Sequence, residues 1–213
     1  MAAADRKERE RAIRVDDIVD AAERVFFGKD GQAATMDDVA READFSKRTI
    51  YKYFSSKDLL MLAISLRGHR LLNGMLVETA RQLDARSGLD KLGAYGRTYL
   101  DFRNRHPEYF AVILGYQTVV ASMNGTAEIA RQCYEEGEKP TVMIEAAIKA
   151  GVADGSLRKD IDPAEAAVIL WADIVGLILI LDRKADYLSG YRNITINSLI
   201  DSAFVYLRRS IEA

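Results

Sequence analysis

The stretch from Thr35 to Lys57 reads TMDDVAREADFSKRTIYKYFSSK and carries the pattern of two short helices joined by a tight turn. Apolar residues in its first half recur at the spacing of one face of a helix. Thr35 is a good N-cap residue, and Asp38 three residues later makes a short variant of the capping box. The residues on the apolar face are Met36, Val39, Ala40 and Ala43.

The second half of this stretch predicts another helix, which begins at the N-cap residue Ser46. Ile50 and Phe54 are four residues apart and can face the first helix. Asp44 and Phe45 separate the two helices, and Asp tolerates the left-handed conformation that such a turn usually requires, although less well than Gly. Two short helices around so short a turn predict a helix-turn-helix motif.

The second helix is a positive patch on a slightly acidic protein. Ser46 to Lys57 holds four basic side chains and no acidic one, whereas the whole chain has a formal net charge of -2. In a helix-turn-helix motif the second helix enters the major groove of DNA. Arg48 can fork onto a guanine, whereas Lys52 and Lys57 suit phosphates. A solvated charged face is the alternative. The residues predicted to contact DNA are Thr35, Ser46, Lys47, Arg48, Thr49, Tyr51, Lys52, Tyr53 and Lys57.

A wider pattern surrounds this motif between Ala22 and Leu60. Its residues are Ala22, Val25, Phe26, Gly31, Thr35, Val39, Ala40, Ala43, Asp44, Phe45, Ser46, Ile50, Tyr51, Tyr53, Phe54, Ser56, Lys57 and Leu60. They resemble the DNA-binding domain of TetR-family transcriptional regulators. That domain carries A-x-x-L-F-x-x-x-G, then T-x-x-x-I-A, then A-G-V-S-x-x-x-L-Y-x-Y-F-x-S-K-x-x-L.

The chain departs from the family pattern at two places. The family's first glycine falls at Asp30 here and Gly31 comes next, so we expect the turn after the first helix to be one residue longer. Asp44 replaces the usual turn glycine, which we expect to strain the turn slightly. The family usually has a small residue at the position of Arg48, so we expect Arg48 to set this protein's own base preference.

The resemblance implies an all-α protein in two parts. It predicts an N-terminal three-helix helix-turn-helix domain over residues 1–57 and a larger helical ligand-binding and dimerisation domain over 58–213. It also implies a homodimer that binds a palindromic double-stranded operator and responds to a small-molecule inducer, as a repressor does. Two alternatives remain open: a DNA-binding member without an inducer, and a helical dimer that acts through protein contacts.

The N-terminus carries a second basic run. Arg6 to Arg14 holds five basic side chains and two acidic ones. We expect either a disordered arm that contacts the backbone or minor groove of DNA, or a solvated tail.

Beyond Leu60 the apolar spacing predicts only helices. We expect helices over 57–81 and 88–105, one from Pro107, a long one to about Ala150, one after Asp162 and a last one from about Ile196. The helix after Asp162 is apolar on most sides, which predicts either burial in a bundle or an interface with a second copy.

Aromatic residues and one carboxylate in these helices are candidates for an inducer pocket, although core packing is the alternative for the aromatics. Asp173 lies within an apolar helix, so we expect it to meet a ligand, an arginine or the partner subunit, because an unpaired buried charge is costly. The lining suggests a largely apolar inducer. The candidate residues are Tyr99, Phe102, Phe110, Tyr116, Met143, Trp171 and Asp173.

The composition argues against an enzyme. The chain has two histidines and one cysteine, and no spacing resembles a zinc site, a nucleophile elbow or a phosphate loop. We therefore expect no catalytic residue, no metal and no cofactor.

The single Cys133 suits a reducing cytoplasm. The longest apolar run, 166–181, is short for a bilayer span and the N-terminus is charged. These features predict a cytoplasmic protein without a membrane partner.

Overall fold

The computed structural model describes residues 2–28, 33–122 and 128–213, and within these ranges the fold is all-α, as predicted. A π-helical turn, Tyr187–Tyr191, precedes the last helix. The turn expected at Asp30 and Gly31 lies outside the described residues. The α-helices are α1 Ala2–Phe26, α2 Met36–Glu42, α3 Lys47–Tyr53, α4 Lys57–Gln82, α5 Gly88–Arg105, α6 Pro107–Ser122, α7 Glu128–Asp154, α8 Pro163–Arg183 and α9 Ile196–Ile211.

The chain forms two compact units, each built from two segments. The first unit runs to His69 and includes 108–135, whereas the second comprises 70–107 and 136–213. Helix α4 therefore contributes to both. The domain boundary predicted after residue 57 follows chain order and stays a prediction. The first unit extends past it because residues early in α4 and on α6 pack with α1, α2 and α3.

One apolar core holds the first unit together. Ile18 on α1, Val39 on α2 and Ile50 on α3 are fully buried, and Leu60 and Ile64 add to the core from α4. Each such side chain contributes roughly 1.5–3 kcal/mol when it leaves water. The core fixes one face of α3 and leaves the other free. Its remaining buried residues are Val19, Ala21, Ala22, Met36, Ala40, Phe54, Met61, Ala63 and Val112.

The basic run near the N-terminus is helical. Residues 6–14 lie within α1, so the expectation of a disordered arm is wrong. Alanine, arginine and glutamate are good helix formers. Arg6 Nε also donates to Glu10 Oε1 at 2.9 Å, a pair one turn apart that supports the helix.

Hydrogen bonds fix two helix limits in the second unit, and the start of α8 is the one predicted from Asp162 and Pro163. Asp162 Oδ1 accepts the N–H groups of Ala164 and Glu165 at 3.0 and 2.9 Å, and Pro163 occupies the first turn of α8. The end of α9 is held by backbone bonds: the N–H of Arg158 donates to the carbonyl of Ile211 at 3.1 Å. These bonds hold the end of α9 against the loop that follows α7.

Helix α8 is more open than its composition predicts. By length and composition it could cross a membrane, with a mean hydropathy of 2.2, yet only 22% of its most apolar window is buried. Within the single chain α8 is therefore not buried on all sides, and the alternative of an interface with a second copy stays a prediction. Val168, Ile169 and Ile180 are all exposed. The open positions recur every three or four residues, so they form one face of the helix.

Candidate functional site

Helix α2 starts with the predicted capping box. The N–H and the hydroxyl of Thr35 donate to Asp38 Oδ2 at 2.9 and 2.7 Å, and the N–H of Asp38 donates back to Thr35 Oγ1 at 3.3 Å. The hydrogen bond from the Thr35 side chain is the main reason that the pKa of Asp38 lies below its usual value. The box fixes where α2 begins, with Thr35 at the surface.

The turn after α2 is a Schellman motif with an aspartate in the glycine position. Asp44 has a φ of 55°, in the left-handed region. The N–H of Phe45 donates to the carbonyl of Ala40 at 3.0 Å, and the N–H of Asp44 donates to that of Arg41 at 3.3 Å. These two bonds define the motif. The turn therefore keeps the geometry that glycine would give, at some conformational cost to Asp44.

Helix α3 presents its polar face outward because its apolar face is fixed. Ser46 caps the helix, accepting the N–H of Thr49 at 3.1 Å, and the two hydroxyl oxygens lie 2.8 Å apart. Ile50 and Phe54 are buried in the core. Thr49 and Tyr53 are half-buried at the edges of the helix. The exposed residues of α3 are Lys47, Arg48, Tyr51 and Lys52.

The three cations on α3 differ in their surroundings. Lys47 Nζ lies 2.8 Å from Asp37 Oδ1 and 5.9 Å from the centre of the Tyr51 ring. The hydrogen bond to Asp37 raises the pKa of Lys47. Arg48 and Lys52 have no acidic partner in the part of the chain that the structure describes. Their positive charge is thus available to an anion outside the protein.

Lys57 has a structural role that its sequence position did not reveal. Its Nζ donates to the carbonyl of Ala34 at 2.7 Å and lies 4.9 Å from the centre of the Phe26 ring. The side chain thereby ties the start of α4 to the loop before α2 and to α1. Its predicted phosphate contact stays a prediction.

A polar network beside this core was missed by sequence reasoning. Arg67 on α4 lies 2.6 Å from Asp20 and 2.9 Å from Glu23 on α1. Tyr109 on α6 donates to Glu23 at 2.7 Å. Burial, and then the bond to Glu23, raises the pKa of Tyr109 to about 12. The network ties α6 to the helix behind the helix-turn-helix. These partners are far apart in sequence, so no local pattern could have found them.

Known proteins match the part of the chain that forms the helix-turn-helix. The sequence profile of bacterial regulatory proteins of the tetR family matches residues 18–64, which span the helix-turn-helix. An uncharacterized HTH-type transcriptional regulator of Mycobacterium tuberculosis is 38% identical over 64 residues, 30% of this chain and 32% of that protein. The match thus spans about a third of that relative's length.

Solved structures extend the similarity along the whole fold. A tetR-family regulatory protein from Rhodococcus RHA1 covers 94% of this chain and 97% of its own, with a TM-score of 0.66 and 20% identity. Residues 18–64 are thus similar in sequence to tetR-family regulatory proteins, and the chain is similar in fold to a solved protein of that family. FadR of Thermus thermophilus, a TetR-family repressor solved with lauroyl-CoA, has a TM-score of 0.61 at 18% identity and covers 91% of this chain and 92% of its own.

The second unit contains a cavity of about 590 Å³ between α5, α7, α8 and α9. Of the seven predicted pocket residues, Tyr99 alone is among the residues that line it. Phe102 and Phe110 are buried, whereas Tyr116, Met143 and Trp171 are half-buried. Phe110 and Tyr116 belong to the first unit and the other five to the second. The structure therefore does not gather the seven residues into this cavity.

Asp173 differs from its expectation in a specific way. It lies on the open face of α8 and is exposed. The premise that Asp173 is buried within the single chain is therefore wrong, whereas its expected contact with a ligand, an arginine or the partner subunit stays a prediction. The sequence shows that the helix is apolar but not which face its neighbours cover, so the burial of Asp173 could not be read from it.

Proposed function

We propose that this protein is a DNA-binding transcriptional regulator that reads an operator with α3. The observation that carries the proposal is the exposed pair Arg48 and Lys52, which have no acidic partner within the described residues and stand on a helix whose opposite face is fixed in the core. An arginine can fork onto guanine with about 1–3 kcal/mol of discrimination. A lysine at a phosphate adds affinity without sequence preference.

The open face of α8 supports a homodimer. Val168 and Ile169 on α8 are exposed, as are Val205 and Tyr206 on α9. A soluble chain that leaves so much apolar surface open usually covers it with a partner. The same face carries the carboxylate of Asp173, which would be costly inside a bilayer. A second copy of the chain is therefore the favoured partner of this face.

A homodimer would match a palindromic operator. Two copies of α3 related by a two-fold axis read half-sites about one helical turn, ~34 Å, apart.

The protein would act as a repressor in the cytoplasm, where it meets DNA. A small molecule in the second unit would release it by favouring a different spacing of the two recognition helices. A tenfold loss of DNA affinity needs ~1.4 kcal/mol of differential binding. The complex of FadR with lauroyl-CoA is a precedent for a ligand in a structurally similar protein.

Footprinting on the DNA that flanks the protein's own gene tests the proposal. We expect the wild type to protect a palindromic site and the double variant Arg48→Ala, Lys52→Ala to lose that protection. Arg81→Ala is the control, because Arg81 is also exposed on a helix but belongs to the second unit, near the end of α4. Equal protection by the wild type and the double variant, or none by the wild type, would contradict the proposal.

We expect Arg48 to read one base of the operator. Replacing it by Ala should relax specificity at one base position, by about 1–3 kcal/mol, because a bidentate contact to one base is lost. Competition binding with operators altered at single positions measures this. If the Arg48→Ala variant keeps the full preference of the wild type, another residue reads that base.

Two other functions remain as outcomes of these tests. A regulator without an inducer would bind the operator, and no small molecule would release it. A helical dimer that acts through protein contacts would bind DNA weakly or not at all.

A further inference from the structure

The cavity between α5, α7, α8 and α9 has mainly apolar walls. Leu89 and Leu92 line it from α5, Ile144 from α7 and Ile174 from α8, and all four are buried within the chain. Phe204 adds an aromatic wall from α9. At about 590 Å³ the cavity falls in the usual range for small-molecule sites. Because the lining converges from four helices, the cavity suits a compact molecule better than a flat protein surface.

Two tyrosines are part of this mainly apolar lining. Tyr95 and Tyr99 on α5 line the cavity and are each 6% exposed. Neither hydroxyl has a hydrogen-bond partner within the residues that the structure describes. Buried hydroxyls are usually hydrogen-bonded, and these two can donate to a guest.

The charged residues that line the cavity favour neither a positively nor a negatively charged ligand. Arg97 lies over the Phe204 ring, with its guanidinium carbon 4.6 Å from the ring centre. Arg208 lies 3.7 Å from Asp90, and Asp201 is also part of the lining. Two arginines and two aspartates cancel in formal charge. Burial raises the pKa of Tyr95 and Tyr99, so their hydroxyls stay protonated at neutral pH. The cavity thus has apolar walls, two neutral hydroxyl groups and charged lining residues whose formal charges sum to zero.

We propose that this cavity binds an uncharged, largely apolar small molecule whose carbonyl-type oxygen accepts hydrogen bonds from the hydroxyls of Tyr95 and Tyr99. The effector role of this molecule rests on the proposed regulatory function, whereas its binding does not. Helices α8 and α9 form part of the cavity wall and also carry the exposed apolar face assigned to the dimer. Occupancy of the cavity therefore acts on the helices that set the spacing of the two subunits.

Two glycine-to-leucine substitutions distinguish binding in this cavity from binding elsewhere on the surface. Gly93 lines the cavity, and a Cβ at this position would meet no atom within 4 Å. Gly93→Leu should therefore fill the cavity without displacing the backbone. Gly74 on α4 is equally unobstructed but does not belong to the lining, so Gly74→Leu is the matched control. The double variant Tyr95→Phe, Tyr99→Phe removes both hydroxyls and keeps the shape of the rings.

Calorimetric titration of the full-length protein with 2-decanone, in the absence of DNA, tests the proposal. We expect saturable binding to the wild type and to Gly74→Leu, at least tenfold weaker binding to the double phenylalanine variant, and none to Gly93→Leu. Decylammonium has a similar chain but no acceptor, so it should bind at least tenfold more weakly than 2-decanone.

Binding of 2-decanone to Gly93→Leu as tightly as to the wild type would place the site elsewhere and overturn the proposal. Equal binding of decylammonium, unchanged binding by the double phenylalanine variant, or no binding of 2-decanone to the wild type would overturn the ligand chemistry. None of these outcomes bears on the footprint, so failure of this site and failure of the DNA-binding proposal are distinguishable.

Discussion

At the scale of single residues, Asp44 is the clearest conformational compromise. Its φ of 55° falls in a region where the backbone of an L-residue is less stable by roughly 1–2 kcal/mol, whereas glycine has no such cost. Aspartate tolerates this region better than alanine. We therefore expect Asp44→Ala to be less stable than Asp44→Gly by about 1 kcal/mol. Urea unfolding of the two variants measures the difference, and equal midpoints would show that the turn does not require a left-handed residue.

Single residues also mark where the sequence was informative. The caps at Thr35 and Ser46 and the buried Ile50 follow from local spacing, and the structure places all three as predicted. The bond from Lys57 to the carbonyl of Ala34 and the pair of Lys47 with Asp37 did not follow. Each joins residues from different elements, and the distance between elements depends on packing that no local pattern encodes.

At the scale of helices, α5 and α7 approach each other at two glycines. A Cβ added to Gly88 would lie 2.2 Å from the nitrogen of Gly151 and 2.3 Å from the carbonyl oxygen of Ala147. Gly88→Ala should therefore destabilise the fold by about 1–3 kcal/mol, because backbone atoms must shift. Gly74→Ala is the control at an exposed position of α4 and should stabilise the fold by about 0.5–1 kcal/mol. Chemical denaturation of both variants checks this, and equal stabilities would contradict the close approach.

Helix limits were predictable where the sequence carries a stop or start signal. Asp162 with Pro163 and the proline at 107 mark helix starts that the structure reproduces. The basic run at residues 6–14 carries no such signal, since charged residues suit both a helix and a solvated tail. The residues that line the cavity could not be predicted from the sequence either: Phe102 is buried but does not line the cavity. Which way a helical side chain faces depends on the neighbouring helices.

At the scale of the whole molecule, the open face of α8 should decide the oligomeric state. We expect the wild type to be a dimer by light scattering at micromolar concentration and Ile169→Lys to be a monomer, because removing the lysine's charge from water at the interface costs several kcal/mol. Val77→Lys is a matched control: Val77 is 58% exposed and Ile169 59%, but Val77 lies on α4. A monomeric wild type, or a dimeric Ile169→Lys, would contradict the assigned interface.

The central claim is that α3 binds DNA through its unpaired cations, and the salt dependence of operator binding tests it most directly. Fluorescence anisotropy titrations over a series of salt concentrations should give log affinity that falls linearly with log salt for the wild type. Lys52→Ala should weaken binding to all sequences alike and reduce the slope by about one, because one phosphate contact is lost. Binding that does not depend on salt, or a Lys52→Ala slope equal to that of the wild type, would contradict the account.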